Sequence, residues 1–170
     1  MRGYISCFAC GSNAFNIEGK SHPYMLASPG CWTMFGDIMN QEFSDLRYWK
    51  GHQFTVDAYA ISHVGNKADQ RAINSVHIHL AALYGVFEQG LAMTEVSKLR
   101  GRFSTYYKGK AVLEWLEPPP SFGPITIFDL WDNDQPELHY AIARNWAKSV
   151  WEAWSHQHDK VADLVTQIYT

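Results

Sequence analysis

The stretch QRAINSVHIHLAALYGVFEQ, Gln70–Gln89, decides the fold. Set about 100° apart around an axis, Ala72, Ile73, Val76, Leu80, Leu83 and Phe87 share one arc. Gln70, Arg71, Asn74 and Glu88 fall opposite. One apolar stripe with polar residues behind it is a helix with one face in a core. Gly90 follows as a C-terminal stop.

The same period recurs on both sides of this stretch. Pro136 opens the longest helical pattern, roughly Glu137 to Ile168. Tyr140, Ala143, Trp146, Ala147, Val150, Trp151, Trp154, Val161 and Val165 share an arc there, opposite Asn145, Lys148, Glu152, Asp159 and Asp163. Ser28-Pro29 begins a helix to about Asp45, with proline in the first turn. Phe54–His63 is a short helix, apolar on both faces, which predicts deep burial. A shorter helix covers Met93–Arg100, and residues 102–116 fit no pattern. Thr126-Ile-Phe-Asp129 reads as a capping box with Asp in place of Glu. No alternating strand pattern of comparable strength occurs. The expected fold is mainly α: a single-domain bundle of about five or six helices over 32–170, with the loop-rich segment 1–31 packed on it. Glu117–Pro124 is expected to be a rigid loop inside that domain.

The 170 residues suit one domain. Aromatic residues make up 15 %, with seven Trp, and charged residues only 18 %. That surplus of apolar area points to an oligomer interface, such as a homodimer, or to a pocket for a small apolar or aromatic molecule. Net charge is −3 and no basic run occurs, so a nucleic-acid partner is not expected. The first residues lack an apolar signal core and no stretch reaches transmembrane length, so the expected compartment is the cytoplasm, with no membrane partner.

Three cysteines is an odd count, which argues against a disulfide framework. Cys7 and Cys10 stand at knuckle spacing, and Gly11 permits the tight turn that a knuckle needs. Cys31 follows beyond a loop, with His22 between. Cys7, Cys10, His22 and Cys31 supply the Cys3His set of tetrahedral zinc within a segment that has little core of its own. Structural zinc contributes on the order of 10–16 kcal/mol of apparent binding energy in small peptides, and there that becomes folding energy. Unmetallated cysteines remain open, as does a thioredoxin-like redox pair, which needs CxxC at a helix start beside a strand. His22 could yield its place to a histidine from elsewhere.

Seven further histidines accompany His22. His139 and His158 fall in apolar arcs, His158 near Trp151 and Trp154. His156 falls on the polar face. His77 and His79 flank the apolar stripe of their helix, with Ser75 one turn before His79. His63 closes the short buried helix on the side of Val56 and Tyr59. A single core histidine is ordinarily a satisfied hydrogen-bonding group. Several at helix contacts could instead hold a second metal of unknown identity or act as a general base. Asp57 lies in an apolar segment, where a carboxylate is costly unless paired. It could orient one of those rings, or be a first-turn Asp favoured by the helix dipole.

The series CxxCG (Cys7–Gly11), HPY (His22–Tyr24), GCW (Gly30–Trp32), VDAYAxxH (Val56–His63), SVHxHL (Ser75–Leu80), the PPP loop (Pro118–Thr126) and the Trp/His ending (Trp146–His158) resembles a bacterial family known only as a domain of unknown function. The resemblance spans nearly the whole chain. It implies that these polar positions belong together and brings no activity.

Two functions are compatible with these residues. One is a zinc-binding small-molecule enzyme. Asp57, His63 and His79 are then catalytic in an aromatic pocket, and Tyr59, Ser75, His77, His139, Trp151 and His158 are pocket or second-site candidates. Its chemistry would be acid–base or metal-assisted. The other is a zinc-stapled, non-catalytic interaction or dimerisation module. Phosphate-loop, GxSxG and HExxH motifs are absent from the sequence, which disfavours nucleotide, serine-hydrolase and zincin activities.

Overall fold

The structure, a computed structural model, describes residues 3–108 and 112–169. It is mainly helical. Strands β1 (Tyr4–Ser6) and β2 (Asn13–Phe15) form a small antiparallel hairpin, with Ile5 opposite Ala14. Eight helices follow: α1 Pro29–Ser44, α2 Leu46–Trp49, α3 His52–Ser62, α4 Gln70–Phe87, α5 Met93–Tyr107, α6 Ile127–Trp131, α7 Pro136–Ala153 and α8 His158–Tyr169. Helix α3 is the central element, packed against α7 on one side and α4 on the other. Eight of its eleven residues are buried, as its two apolar faces predict.

Helices α1 and α6 begin where the sequence places their caps. Ser28 caps α1 by accepting from the Cys31 N–H, and Pro29 fills the first turn. Thr126 and Asp129 form the predicted capping box of α6. Helix α4 buries Ala72, Ile73, Val76, Leu80 and Leu83 of the predicted arc, and Phe87 at its end is half-buried.

Four features differ from the sequence expectation. The count is eight helices among the described residues rather than five or six, because the single-turn α2 adds one and the long pattern is two helices. Helix α5 runs on to Tyr107, and residues 109–111 lie outside the described residues. The N-terminal loops contain a hairpin too short to show a strand period. The pattern 137–168 breaks at Trp154, where one 3-10 turn, Ser155–Gln157, separates α7 from α8. Side chains hold that break. The Trp154 indole N–H donates to the Ile61 carbonyl, 3.1 Å away, which pins it in the core. His158 folds back over Trp151, with ring centroids 3.7 Å apart, and its Nε2–H donates to the Trp151 carbonyl. That carbonyl lies in the last turn of α7 and also accepts from the Trp154 N–H at 3.0 Å.

One buried cluster runs from Cys7 through Ile61 and Leu80 to Trp146, Trp151, Trp154 and Val165. The hairpin joins it through β2 and α1, which approach closely at Gly30. A Cβ there would stand 2.0 Å from the Phe15 carbonyl oxygen, so only glycine fits. No helix among the described residues is long and apolar enough to cross a membrane.

Candidate metal centre

The hairpin loop carries Cys7 and Cys10. Cys7 N–H donates to the Ser12 carbonyl at 2.7 Å, and Gly11 N–H to the Cys7 carbonyl at 2.9 Å. Gly11 has φ +76°, the left-handed turn anticipated for a knuckle. This fold aims both sulfurs at the start of α1, where Cys31 occupies the first turn. From the opposite side comes His63, just past the end of α3.

Cys7, Cys10, Cys31 and His63 each place one ligand atom within 4.8 Å of the other three. Cys10 and Cys31 sulfurs are 3.9 Å apart, and His63 Nε2 lies 3.2 Å from Cys31 Sγ and 3.9 Å from Cys7 Sγ. The three cysteines are free. Cys7, Cys31 and His63 are at most 1 % exposed. This group could hold a metal ion, and it is the one such group among the described residues.

The surroundings prepare these atoms for a cation. A carbonyl can only accept, so the 2.7 Å contact from His63 Nδ1 to the Tyr59 carbonyl puts a proton on Nδ1. Nε2 is then the atom left to face the sulfurs, the usual arrangement of a ligating histidine. Ser28 N–H lies 3.5 Å from Cys7 Sγ and donates to it. Hydrogen bonding with Cys10 first, then Cys31, holds Cys7 far below the ordinary thiol range. Cys31 is pushed far above it, by its contacts with Cys10 and Cys7 and then by burial. These opposite directions share a cause: crowded sulfurs cannot all be thiolates unaided. A bound cation favours every thiolate at once. Burial opposes charge on His63, but its contacts with Cys10 and Cys7 outweigh burial and raise it to about 9.

His22, the ligand expected from sequence order, is not in the group. Its Nδ1 accepts from the backbone N–H groups of Tyr24 and Met25, at 3.3 and 3.1 Å, and closes a local turn. Its ring packs edge-on against Trp32. An aromatic row continues through Phe35 and Tyr59 to His63, the last two rings stacked at 3.9 Å. Burial, then the charge of Cys31, pushes Tyr59 up, so it remains a neutral phenol lining the centre. The CxxC pair sits on a hairpin and not at a helix start, unlike a thioredoxin-type pair.

A family of unknown function, DUF5946, matches residues 5–155. The chain belongs to that family. No curated protein and no solved structure matches it.

The other candidate residues of this DUF5946 chain are dispersed. Asp57, on α3, is 1 % exposed and accepts from His79 Nδ1 at 2.7 Å. Arg100 Nη2 of α5 contacts both of its oxygens at 2.5 Å. Asp57 and His79 therefore do belong together, with Arg100 as a third member, whereas His63 faces the sulfurs. Among the described residues Ser75 makes no side-chain hydrogen bond to His79. His77 Nε2–H donates to the Glu114 carbonyl and ties down the loop after α5. Burial lowers His77, favouring its neutral form. His156, expected on a solvated face, donates to the Glu117 carbonyl. Trp151 donates to Glu88 and, with His158, forms the α7–α8 joint. His139 Nε2 meets Glu42 at 2.7 Å, fully buried.

Glu42 and Arg100 were missed. Glu42 follows Cys31, Met34 and Ile38 on the buried face of α1, so its spacing alone marked it as a carboxylate inside the core. Arg100 adjoins Leu99 on a weakly apolar helix and left no comparable signal.

Proposed function

We propose that Cys7, Cys10, Cys31 and His63 bind a structural Zn²⁺ that staples the hairpin and the start of α1 to the end of α3. The supporting observation is the shape of the ligand set. With Zn–S of about 2.3 Å and Zn–N of about 2.0 Å, a tetrahedron places sulfurs about 3.8 Å apart and sulfur from nitrogen about 3.5 Å. In this chain the Cys10–Cys31 sulfurs are 3.9 Å apart, His63 Nε2 lies 3.2 and 3.9 Å from the sulfurs of Cys31 and Cys7, and every ligand atom is within 4.8 Å of the others. Three thiolates and an imidazole are a zinc donor set. Four protein ligands in a buried place leave no open position for substrate, which favours a structural over a catalytic ion.

Cobalt substitution tests this. Co²⁺ added to metal-free protein should give the intense visible bands and sulfur charge-transfer absorption of a tetrahedral thiolate site, and Zn²⁺ should displace it. Weak octahedral bands would contradict the proposal.

A second reading, acid–base chemistry on a small molecule, has one observation in its favour. The Asp57 carboxylate holds the Nδ1–H of His79, and among the described residues the opposite nitrogen makes no hydrogen bond. Such a pair orients a general base. Arg100 binds the same carboxylate and makes the pair serve packing as well. His79→Gln that keeps wild-type stability yet loses a turnover would support this reading. A large loss of stability would count against it.

A further inference from the structure

Tyr59 lies one turn of α3 before His63 and is 0 % exposed. Residues four apart share a helix face, and the two rings stack with centroids 3.9 Å apart. The same phenol ring meets Phe35 at 4.1 Å and Trp32 at 6.0 Å. Phe35 follows Cys31 by one turn of α1, and Trp32 adjoins it in the chain. Tyr59 is therefore held between the two helices that deliver Cys31 and His63. Of the three sulfurs, Cys31 acts on this phenol most strongly, ahead of Cys10 and Cys7.

The Tyr59 hydroxyl is buried and makes no hydrogen bond. Such a group forfeits the hydrogen bonds it had with water, and phenylalanine would fill the same space without that loss. The hydroxyl is accounted for if its acceptor arises only with metal bound. A thiol sulfur is a weak acceptor. A thiolate is a charged one, and hydrogen bonds to charged groups are the strong ones.

Charge balance points to the same bond. Three thiolates and a neutral imidazole around Zn²⁺ leave one negative charge, and a buried charge needs donors. Cys7 already has one, the Ser28 N–H at 3.5 Å. Among the described residues the Cys31 sulfur contacts Cys10 Sγ and His63 Nε2, both of which become fellow ligands of the ion. The Cys31 thiolate then has lone pairs and no donor, beside a phenol with a donor and no acceptor.

We propose that Tyr59 is a positioning residue of this centre: with metal bound, its hydroxyl donates to the Cys31 thiolate. The inference rests on the Zn²⁺ reading above. It gives one residue two outer contacts, because the Tyr59 carbonyl already accepts from His63 Nδ1–H. Such outer contacts orient ligands and tune the ion they hold. The backbone of Tyr59 sets the imidazole, and its side chain offsets the charge on one sulfur.

Tyr59→Phe keeps the ring and removes the hydroxyl alone. The variant is compared with wild type after loading with Co²⁺ and with Zn²⁺. Cobalt should still give intense tetrahedral bands. The sulfur-to-cobalt charge-transfer band should move to longer wavelength, because losing a hydrogen bond raises the energy of the sulfur lone pairs. Zinc affinity, read by competition with a chromophoric chelator, should fall about tenfold. A charge-transfer band at the wild-type position, or an affinity within about twofold of wild type, would overturn the role of Tyr59 and leave the metal centre standing. Weak octahedral bands in both proteins would overturn the centre, and this role with it.

Discussion

Cys31→Ser is predicted to unfold the N-terminal segment while leaving the bundle standing. Between residues 3 and 27 the core contains only Cys7, Ala14 and Ala27, with Ala9, Cys10, Phe15 and Met25 partly buried against it. At about 0.8 kcal/mol per buried methylene-sized group and up to about 2 for Phe15 or Met25, apolar burial supplies roughly 5 kcal/mol. Ordering some twenty-five residues costs at least about 1 kcal/mol each. The hairpin hydrogen bonds, at about 1 kcal/mol net apiece, do not close that gap. A metal contributing on the order of 10–16 kcal/mol brings the two sides to within a few kcal/mol. Hydrogen exchange followed by mass spectrometry reads the outcome. Cys7 and Gly11 amides, bonded to Ser12 and Cys7 carbonyls, should lose protection in Cys31→Ser and in chelated wild type. Amides of α4 and α7 should stay protected. Unchanged protection of residues 4–16 without metal would refute the reasoning.

Three further outcomes follow from the same contacts. Asp57→Ala leaves Arg100 and His79 without their shared carboxylate and should cost about 3 kcal/mol in urea unfolding; a loss under 1 kcal/mol would mean that the triad is incidental. Trp154→Phe strands the buried Ile61 carbonyl beside the proposed ligand His63 and should cost about 1–3 kcal/mol, with faster zinc release to a chromophoric chelator. Burial works to raise Glu42, but the hydrogen bonds from His139, His52 and Thr55 outweigh it and hold its carboxyl below the ordinary value of 4.5. A depressed carboxyl contributes stability above its unfolded value and loses it as pH falls through its folded value. Wild type should therefore lose more stability than Glu42→Gln between pH 5 and pH 3, a window set by that direction. Parallel acid curves would count against the buried network.

The helices were legible because periodicity is local. The arc of α4 needed only its own residues, and so did the caps Ser28 and Thr126. The break at Trp154 was not, because it depends on the Ile61 carbonyl of another helix. The three cysteines of the candidate centre were legible from the spacing of Cys7 and Cys10 and the nearness of Cys31. The histidine that joins them was not. His22 is close in sequence, but its turn consumes Nδ1. His63 is distant in sequence, yet α3 delivers it beside Cys31. A histidine partner for Asp57 was one of two readings of a carboxylate in an apolar helix, and the structure supplies His79. The other partner of Asp57, Arg100, lay on a helix with no matching pattern.

Metal analysis of purified single-residue variants tests the central claim most directly. One zinc per chain is expected in wild type and in His22→Ala. It should be lost in Cys7→Ser, Cys10→Ser, Cys31→Ser and His63→Ala. Metal retained by His63→Ala and lost by His22→Ala, or native protein without zinc, would contradict the account.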